Sequence, residues 1–145
     1  MRRPSSILIL DDDKGNALLQ CRQLERAGYT AVTAQTPEES FHILSKSGVD
    51  LIIVDYRLNG DVTGLGFCAR LRAAGYDVPV VMVSGTVEDR HIVEALRMGV
   101  REFVEKDADF LERVPAVIGR VLERVAVESQ LAGGVASARL DLRLD

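Results

Sequence analysis

Five short apolar runs, Ile7 to Leu10, Ala31 to Thr33, Leu51 to Val54, Val80 to Val83 and Glu102 to Val104, alternate with amphipathic segments, a βα unit repeated five times. The first, third and fourth runs are apolar throughout rather than at every second residue, as expected when helices cover both faces of a parallel sheet. The pattern predicts an α/β fold, (βα)5, with a doubly wound parallel sheet in three layers. Ala31 to Thr33 is thinner and suits an edge. Gly28, Gly48, Gly75 and Gly99 each follow a helical pattern, where a left-handed residue closes the last turn. Thr36-Pro37-Glu38-Glu39 offers an N-cap hydroxyl, a proline at the first helical position and a glutamate to complete a capping box. Thr86-Val87-Glu88-Asp89 makes a weaker version. The last helix is expected to start near Asp107 or Asp109 and to run through Val114, Val117, Ile118, Val121, Leu122 and Val125, an apolar stripe at helical spacing. Gly133-Gly134 is expected to break it, and Arg139 to Asp145 alternates polar and apolar at period two. Residues 1–130 thus form one body. Residues 131–145 read as a poorly ordered tail, a strand paired with another chain, or the start of a linker to a missing domain.

The second and third features of the chain are acidic. Asp11, Asp12 and Asp13 follow the first apolar run, and Asp55 ends the third. In an open parallel sheet functional groups collect beyond the carboxyl ends of the strands, so these endings can converge. Close carboxylates repel one another. A hard divalent cation relieves that repulsion, and Mg²⁺, which keeps several waters and takes one or two carboxylates, suits an open cleft. Such a cation offsets the charge that keeps an anionic phosphoryl donor away, leaving an Asp oxygen free for in-line attack. Two later strand ends supply donors: Ser84-Gly85 brings a hydroxyl and a backbone N–H, and Lys106 an ammonium.

Composition excludes several classes. The 145 residues suit one domain with a sizeable core, nearly half of them apolar. No apolar run approaches the roughly 20 residues needed to span a bilayer, and Met1-Arg2-Arg3-Pro4 leads into a strand without a signal-peptide pattern, so a cytoplasmic location is expected. A net charge of -4 and the lack of a basic run argue against nucleic-acid binding. Cys21 and Cys68 fall among apolar neighbours in helical segments, as small buried hydrophobes do in a reducing compartment. His42 and His91 stand apart from any ligand spacing.

The whole constellation resembles a response-regulator receiver domain of two-component signalling, over roughly Ser6 to Glu128. The resemblance implies the flavodoxin-like strand order 2-1-3-4-5. It implies that Asp55 is the phosphoacceptor, taking a phosphoryl group from a sensor histidine kinase or phosphotransfer protein. It further implies Mg²⁺ held by Asp12 directly, by Asp11 mainly through water, by Asp55, and by the backbone carbonyl of Arg57. Ser84 would hydrogen-bond the phosphoryl group, Gly85 would offer its N–H, Lys106 would pair with it, and Phe103 would be the aromatic switch. Asp13 lies outside this site and is expected to cap the first helix. Such a protein is not a turnover enzyme; it catalyses its own phosphorylation and slow dephosphorylation.

The chain departs from the pattern at two loops. Lys106-Asp107 stands where relatives commonly have Lys-Pro with a cis bond. A cis bond before Asp costs about 2.5–4 kcal/mol against roughly 0.5–1 before Pro, so a trans loop with Lys106 reset is expected. Arg57 to Gly64 lacks the usual proline and is one residue longer, with Gly60 and Gly64 to turn it. Arg57, two positions after Asp55, is placed to screen a phosphate through its guanidinium. Output requires a downstream protein partner or a fused domain, and the stretch Lys106 to Glu112 resembles receivers attached to sensor kinases. The helix-five stripe offers a homodimer contact if one edge projects. Three alternatives remain: a pseudo-receiver acting by binding alone, an aspartyl-phosphate phosphohydrolase with Asp11 as nucleophile, and a flavodoxin-like binding module, against which three carboxylates in the phosphate loop argue.

Overall fold

The computed structural model describes the backbone of residues 3–144 and the side chains of residues 3–133. Five strands, β1 (Ser6–Leu10), β2 (Thr30–Ala34), β3 (Leu51–Asp55), β4 (Val80–Ser84) and β5 (Glu102–Glu105), alternate with α1 (Lys14–Arg26), α2 (Pro37–Lys46), α3 (Gly64–Ala73), α4 (Asp89–Arg97) and α5 (Phe110–Leu144). All pairings are parallel and the order is β2-β1-β3-β4-β5, which puts the thin β2 at an edge.

Strand alternation builds two cores. Ile7, Ile9, Leu51, Ile53, Val81, Val83 and Val104 face α1 and α5, where they meet Leu24, Val114, Ile118 and Val121. The intervening Leu8, Leu10, Ile52, Val54, Val80 and Met82 face Phe67 and Leu71 of α3 and Ala95 of α4. Apolar residues at every strand position therefore find cover on both sides. The α5 stripe is consumed here. Val114, Val117, Ile118 and Val121 are buried against the sheet, with Val125 packed beside them, while Val127 and Leu131 further along are exposed.

Local signals set the helix ends. Asp13 accepts from the Asn16 N–H at 3.0 Å and Thr63 from the Gly66 N–H at 3.1 Å, each satisfying a first-turn donor. Thr36 accepts from Glu39 at 3.1 Å, while the Glu39 carboxylate reaches back to the Gln35 N–H at 3.0 Å, one residue earlier than a capping box has it. Pro115 lies inside α5 and has no N–H for the Leu111 carbonyl four residues back. Gln23 of α1 supplies the missing donor at 3.0 Å, tying the two helices together.

Three local expectations are corrected. Gly28, Gly75 and Gly99 adopt positive φ, but Gly48 does not, because α2 already ends at Lys46 with an extended Ser47. Thr86 does not cap α4: its N–H and C=O are engaged by the Ser84 hydroxyl, and α4 starts at Asp89 with no side-chain cap bond from Glu88. Gly133-Gly134 does not end α5, which runs on to Leu144. Each glycine costs only about 1 kcal/mol relative to alanine, a modest penalty among neighbouring alanines and leucines. The alternating stretch from Arg139 is thus helical through Leu144, and Asp145 lies outside the described residues.

Candidate functional site

The register aligns the strand ends. Leu10 pairs with Val54, Asp55 with Val83, and Ser84 with Glu105, so the residues just beyond β1, β3, β4 and β5 meet at one edge of the sheet. Asp11, Asp12 and Asp55 each bring a carboxylate oxygen within 4.8 Å of the others. Lys106 closes the group: its Nζ donates to Asp11 Oδ2 and to Asp55 Oδ2, both at 2.8 Å. Asp55 and Lys106 are largely but not fully covered, at 13% and 16% side-chain exposure, whereas Asp11 is at 1%.

Burial is the largest influence on Asp55 and raises its carboxyl above the usual range, outweighing the opposing hydrogen bond and charge of Lys106. Burial works against the Lys106 ammonium too, but its bonds to Asp11 and Asp55 and their charges prevail and raise it. The result is a shielded ion pair whose acid is a poorer anion than a free aspartate. Both Asp11 oxygens are engaged: Oδ1 accepts from the Asp13 N–H at 2.9 Å, and Oδ2 from Lys106 and from Gln20 Nε2 at 3.3 Å. Asp12 is half-buried, and no bond to its carboxylate occurs among the described residues. Oxygen donors at this spacing fit a hard divalent cation.

The loops after β5 and β3 are ordered by local hydrogen bonds and turns. No cis peptide occurs among the described residues, as expected for Lys106-Asp107. Asp107 fixes the loop with hydrogen bonds, accepting from the Asp109 N–H at 3.1 Å and from Arg113 at 2.9 Å. Arg113 also reaches the Glu105 carbonyl at 3.0 Å, and the Lys106 N–H donates to the Ser84 carbonyl at 2.8 Å. Lys106 is therefore held over the acidic pair. The loop after Asp55 folds back on itself through an Arg57–Thr63 bridge, with Gly60 at φ +67°. A Cβ at Gly64 would sit 2.6 Å from the Asp55 carbonyl, so only glycine permits this approach.

The remaining expected residues surround this centre. Ser84 is buried and donates to the Thr86 carbonyl at 2.7 Å, with Gly85 between them. The Arg57 N–H donates to Asp55 Oδ1 at 3.4 Å while its side chain is exposed. Phe103 is half-buried, its ring 6.2 Å from Tyr56. A cleft of about 320 Å³ opens beside Lys106, lined by Asn16, Gln20, Gly85 and Asp107 among others. Cys21 and Cys68 are free and buried, and burial pushes each thiol up to about 11.

Three contributors escaped the sequence reading. Gln20 was legible as a polar residue inside the buried stripe of Ala17, Cys21 and Leu24. Tyr56 and His91 were not: their rings stack at 4.4 Å, joining the residue after Asp55 to α4 across a gap of 35 positions that no local pattern reports.

Comparison with known proteins decides the family. Residues 7–117 match the model of the response regulator receiver domain. The chain belongs to the receiver-domain family of two-component response regulators. This receiver is 32% identical over 142 residues to the transcriptional regulatory protein GlrR of Escherichia coli K12, covering 89% of the chain but 31% of that protein. It is 30% identical over 129 residues to the swarming motility regulation protein RssB of Serratia marcescens, covering 88% of the chain and 55% of the relative. The chain thus spans a third to about half of these curated relatives. Among solved structures, a two-component response regulator from Clostridium difficile superposes with a TM-score of 0.75 at 29% identity, over 83% of this chain and 98% of that one. A CheY-like receiver from Methanospirillum hungatei gives 0.78 at 22% identity, over 87% and 99%, a likeness of fold. No helix among the described residues is long and apolar enough to cross a membrane.

Proposed function

We propose that this receiver is the phosphoacceptor of a two-component relay, taking a phosphoryl group onto Asp55 from a sensor histidine kinase or phosphotransfer protein in the cytoplasm. The observation that carries this reading is Lys106 Nζ bridging Asp11 and Asp55 within the carboxylate cluster. An Asp55 oxygen forms the new O–P bond as the donor's P–N bond breaks and the imidazole nitrogen keeps the electron pair. Lys106 then pairs with the phosphoryl oxygens. Ser84 exchanges its bond to Thr86 for one to the phosphoryl group, and the Gly85 N–H adds a second donor. Asp12, Asp55 and the Arg57 carbonyl would hold Mg²⁺, with Asp11 acting mainly through water; the cation supplies charge neutralisation at the transferred group. Withdrawal of Ser84 frees the turn before α4, and Phe103, with Tyr56 beside it, is the switch that repacks. The exposed Arg57 guanidinium screens the phosphoryl group from water, and Arg57→Ala is expected to shorten its lifetime in a dephosphorylation assay.

Output passes to a downstream protein or a fused domain, with residues 1–130 as the receiver and 131–145 leading away from it. The length of the curated relatives supports that reading. The decisive experiment is incubation with acetyl phosphate and Mg²⁺ followed by intact mass. The expected result is one phosphoryl group on the parent and none on Asp55→Asn or the metal-free sample. An unmodified parent would instead favour the pseudo-receiver, which acts by binding alone.

A further inference from the structure

Gln20 is a polar residue on the buried stripe of α1. It is only 1% exposed, and its neighbours on the stripe are Ala17, Cys21 and Leu24. Its Nε2 donates to Asp11 Oδ2 and to the Asn16 carbonyl, both at 3.3 Å, while Oε1 is buried without a partner. A buried amide with one arm unpaired opposes folding. What glutamine brings here, and leucine would not, is the bond to Asp11.

That bond falls on an oxygen shared with Lys106, whose Nζ lies 2.8 Å from Asp11 Oδ2 and 2.8 Å from Asp55 Oδ2. When Lys106 turns to a phosphoryl group on Asp55, Asp11 Oδ2 loses its charged donor. Asp11 is 1% exposed, so bulk water is a poor replacement, and an unpaired buried carboxylate oxygen would resist the exchange. Oδ1 keeps the Asp13 N–H throughout, and on Oδ2 the remaining protein donor is Gln20, which holds the carboxylate in place for the water of the proposed Mg²⁺.

We infer that Gln20 is a positioning residue that keeps Asp11 Oδ2 hydrogen-bonded while Lys106 passes from the Asp11–Asp55 pair to a phosphoryl group. The inference rests on the phosphoacceptor reading and adds a determinant to it. A neutral donor suits this task, since it shares the oxygen without displacing the ammonium.

The test titrates beryllofluoride, an anionic phosphoryl analogue, into the full chain at saturating Mg²⁺, followed by fluorine NMR. The parent is compared with Gln20→Leu and with Gln20→Met, the second guarding against a packing fault peculiar to leucine. Affinity for the analogue is expected to fall roughly three- to tenfold in both variants. The Mg²⁺ midpoint, read separately, should stay within about twofold, and the melting temperature should hold or rise because an unpaired acceptor is gone. Analogue affinity equal to the parent's overturns the role, as does a parallel drop in Mg²⁺ affinity, which would place Gln20's effect on the cation or the fold. A parent that binds no analogue and takes no phosphoryl group overturns the phosphoacceptor reading and this inference together. A responsive parent with indifferent variants overturns the inference alone.

Discussion

Helices α1 and α4 both border the acidic end of the sheet, and they are held there by different means. α1 is capped by Asp13, buries Ala17, Gln20, Cys21 and Leu24, and is stapled to α5 where Gln23 serves the carbonyl freed by Pro115. α4 buries Ala95 alone and has no side-chain cap, although both helices expose two aliphatics, Leu18 and Leu19 on α1 and Val93 and Leu96 on α4. Its connection to the site runs through the stack of His91 on Tyr56 and the Ser84–Thr86 turn. Both are helices of ordinary propensity, so the contrast lies in how much apolar surface each commits to the sheet. A change at Asp55 and Lys106 therefore meets a rigid wall on the α1 side and a lightly held element on the other.

The largest test of this contrast is truncation of one leucine on each helix. Leu24→Ala, at a fully buried site, is expected to lower unfolding stability by about 2–5 kcal/mol. Leu96→Ala on α4 should stay within about 0.5 kcal/mol. Urea melts giving equal losses would remove the distinction.

The thiol of Cys21 sharpens it kinetically. Its carboxylate neighbour Glu25 accepts the S–H at 2.9 Å, and burial pushes the thiol from 9.0 up to about 11. Reaction with a disulfide reagent near about pH 8 should await opening of α1 and be far slower than in urea. The sign of the pH effect follows: between 9.0 and about 11 the unfolded thiol sheds a proton that the folded one keeps, so stability falls as pH rises through that window. Cys68 shares that window, so the measurement is made on Cys68→Ala, where stability rising across it would contradict the burial that distinguishes α1.

Smaller effects belong to the helix ends. Asp13→Ala should cost about 0.5–2 kcal/mol, whereas Glu88→Ser should stabilise the uncapped α4 by up to about 1 kcal/mol, both read from thermal melts. Smallest is the aromatic tie: Tyr56→Leu should remove about 0.5–1.5 kcal/mol of stacking and shift the ring-proton resonances of His91 while those of exposed His42 stay in place. Unmoved His91 signals would show that α4 is held by something other than the stack.

Much of this was legible along the chain. Apolar runs without alternation require cover on both faces, which dictates a parallel sheet with helices on either side, and Asp13, Thr36 and Gly28 mark their helix ends through bonds reaching only a few residues. Other ends were misread for the same reason. Thr86 looked like a cap until its backbone groups were claimed by Ser84, and Gly133-Gly134 looked like a break because glycine's penalty, read alone, has nothing to weigh against.

The placement of Asp11, Asp12, Asp55, Ser84 and Lys106 at strand ends was also local, a matter of where each apolar run stops. Their mutual distances were not. Those depend on register, which only pairing across the sheet sets. The same holds for Asp107 paired with Arg113, for Gln20 beneath Asp11, and for His91 against Tyr56. Sequence determined which groups stand at the end of each strand, because backbone preference and hydrophobic period act over a few residues. The tertiary structure alone decided which of them touch, because burial and hydrogen bonding between distant segments exist only once the sheet has closed.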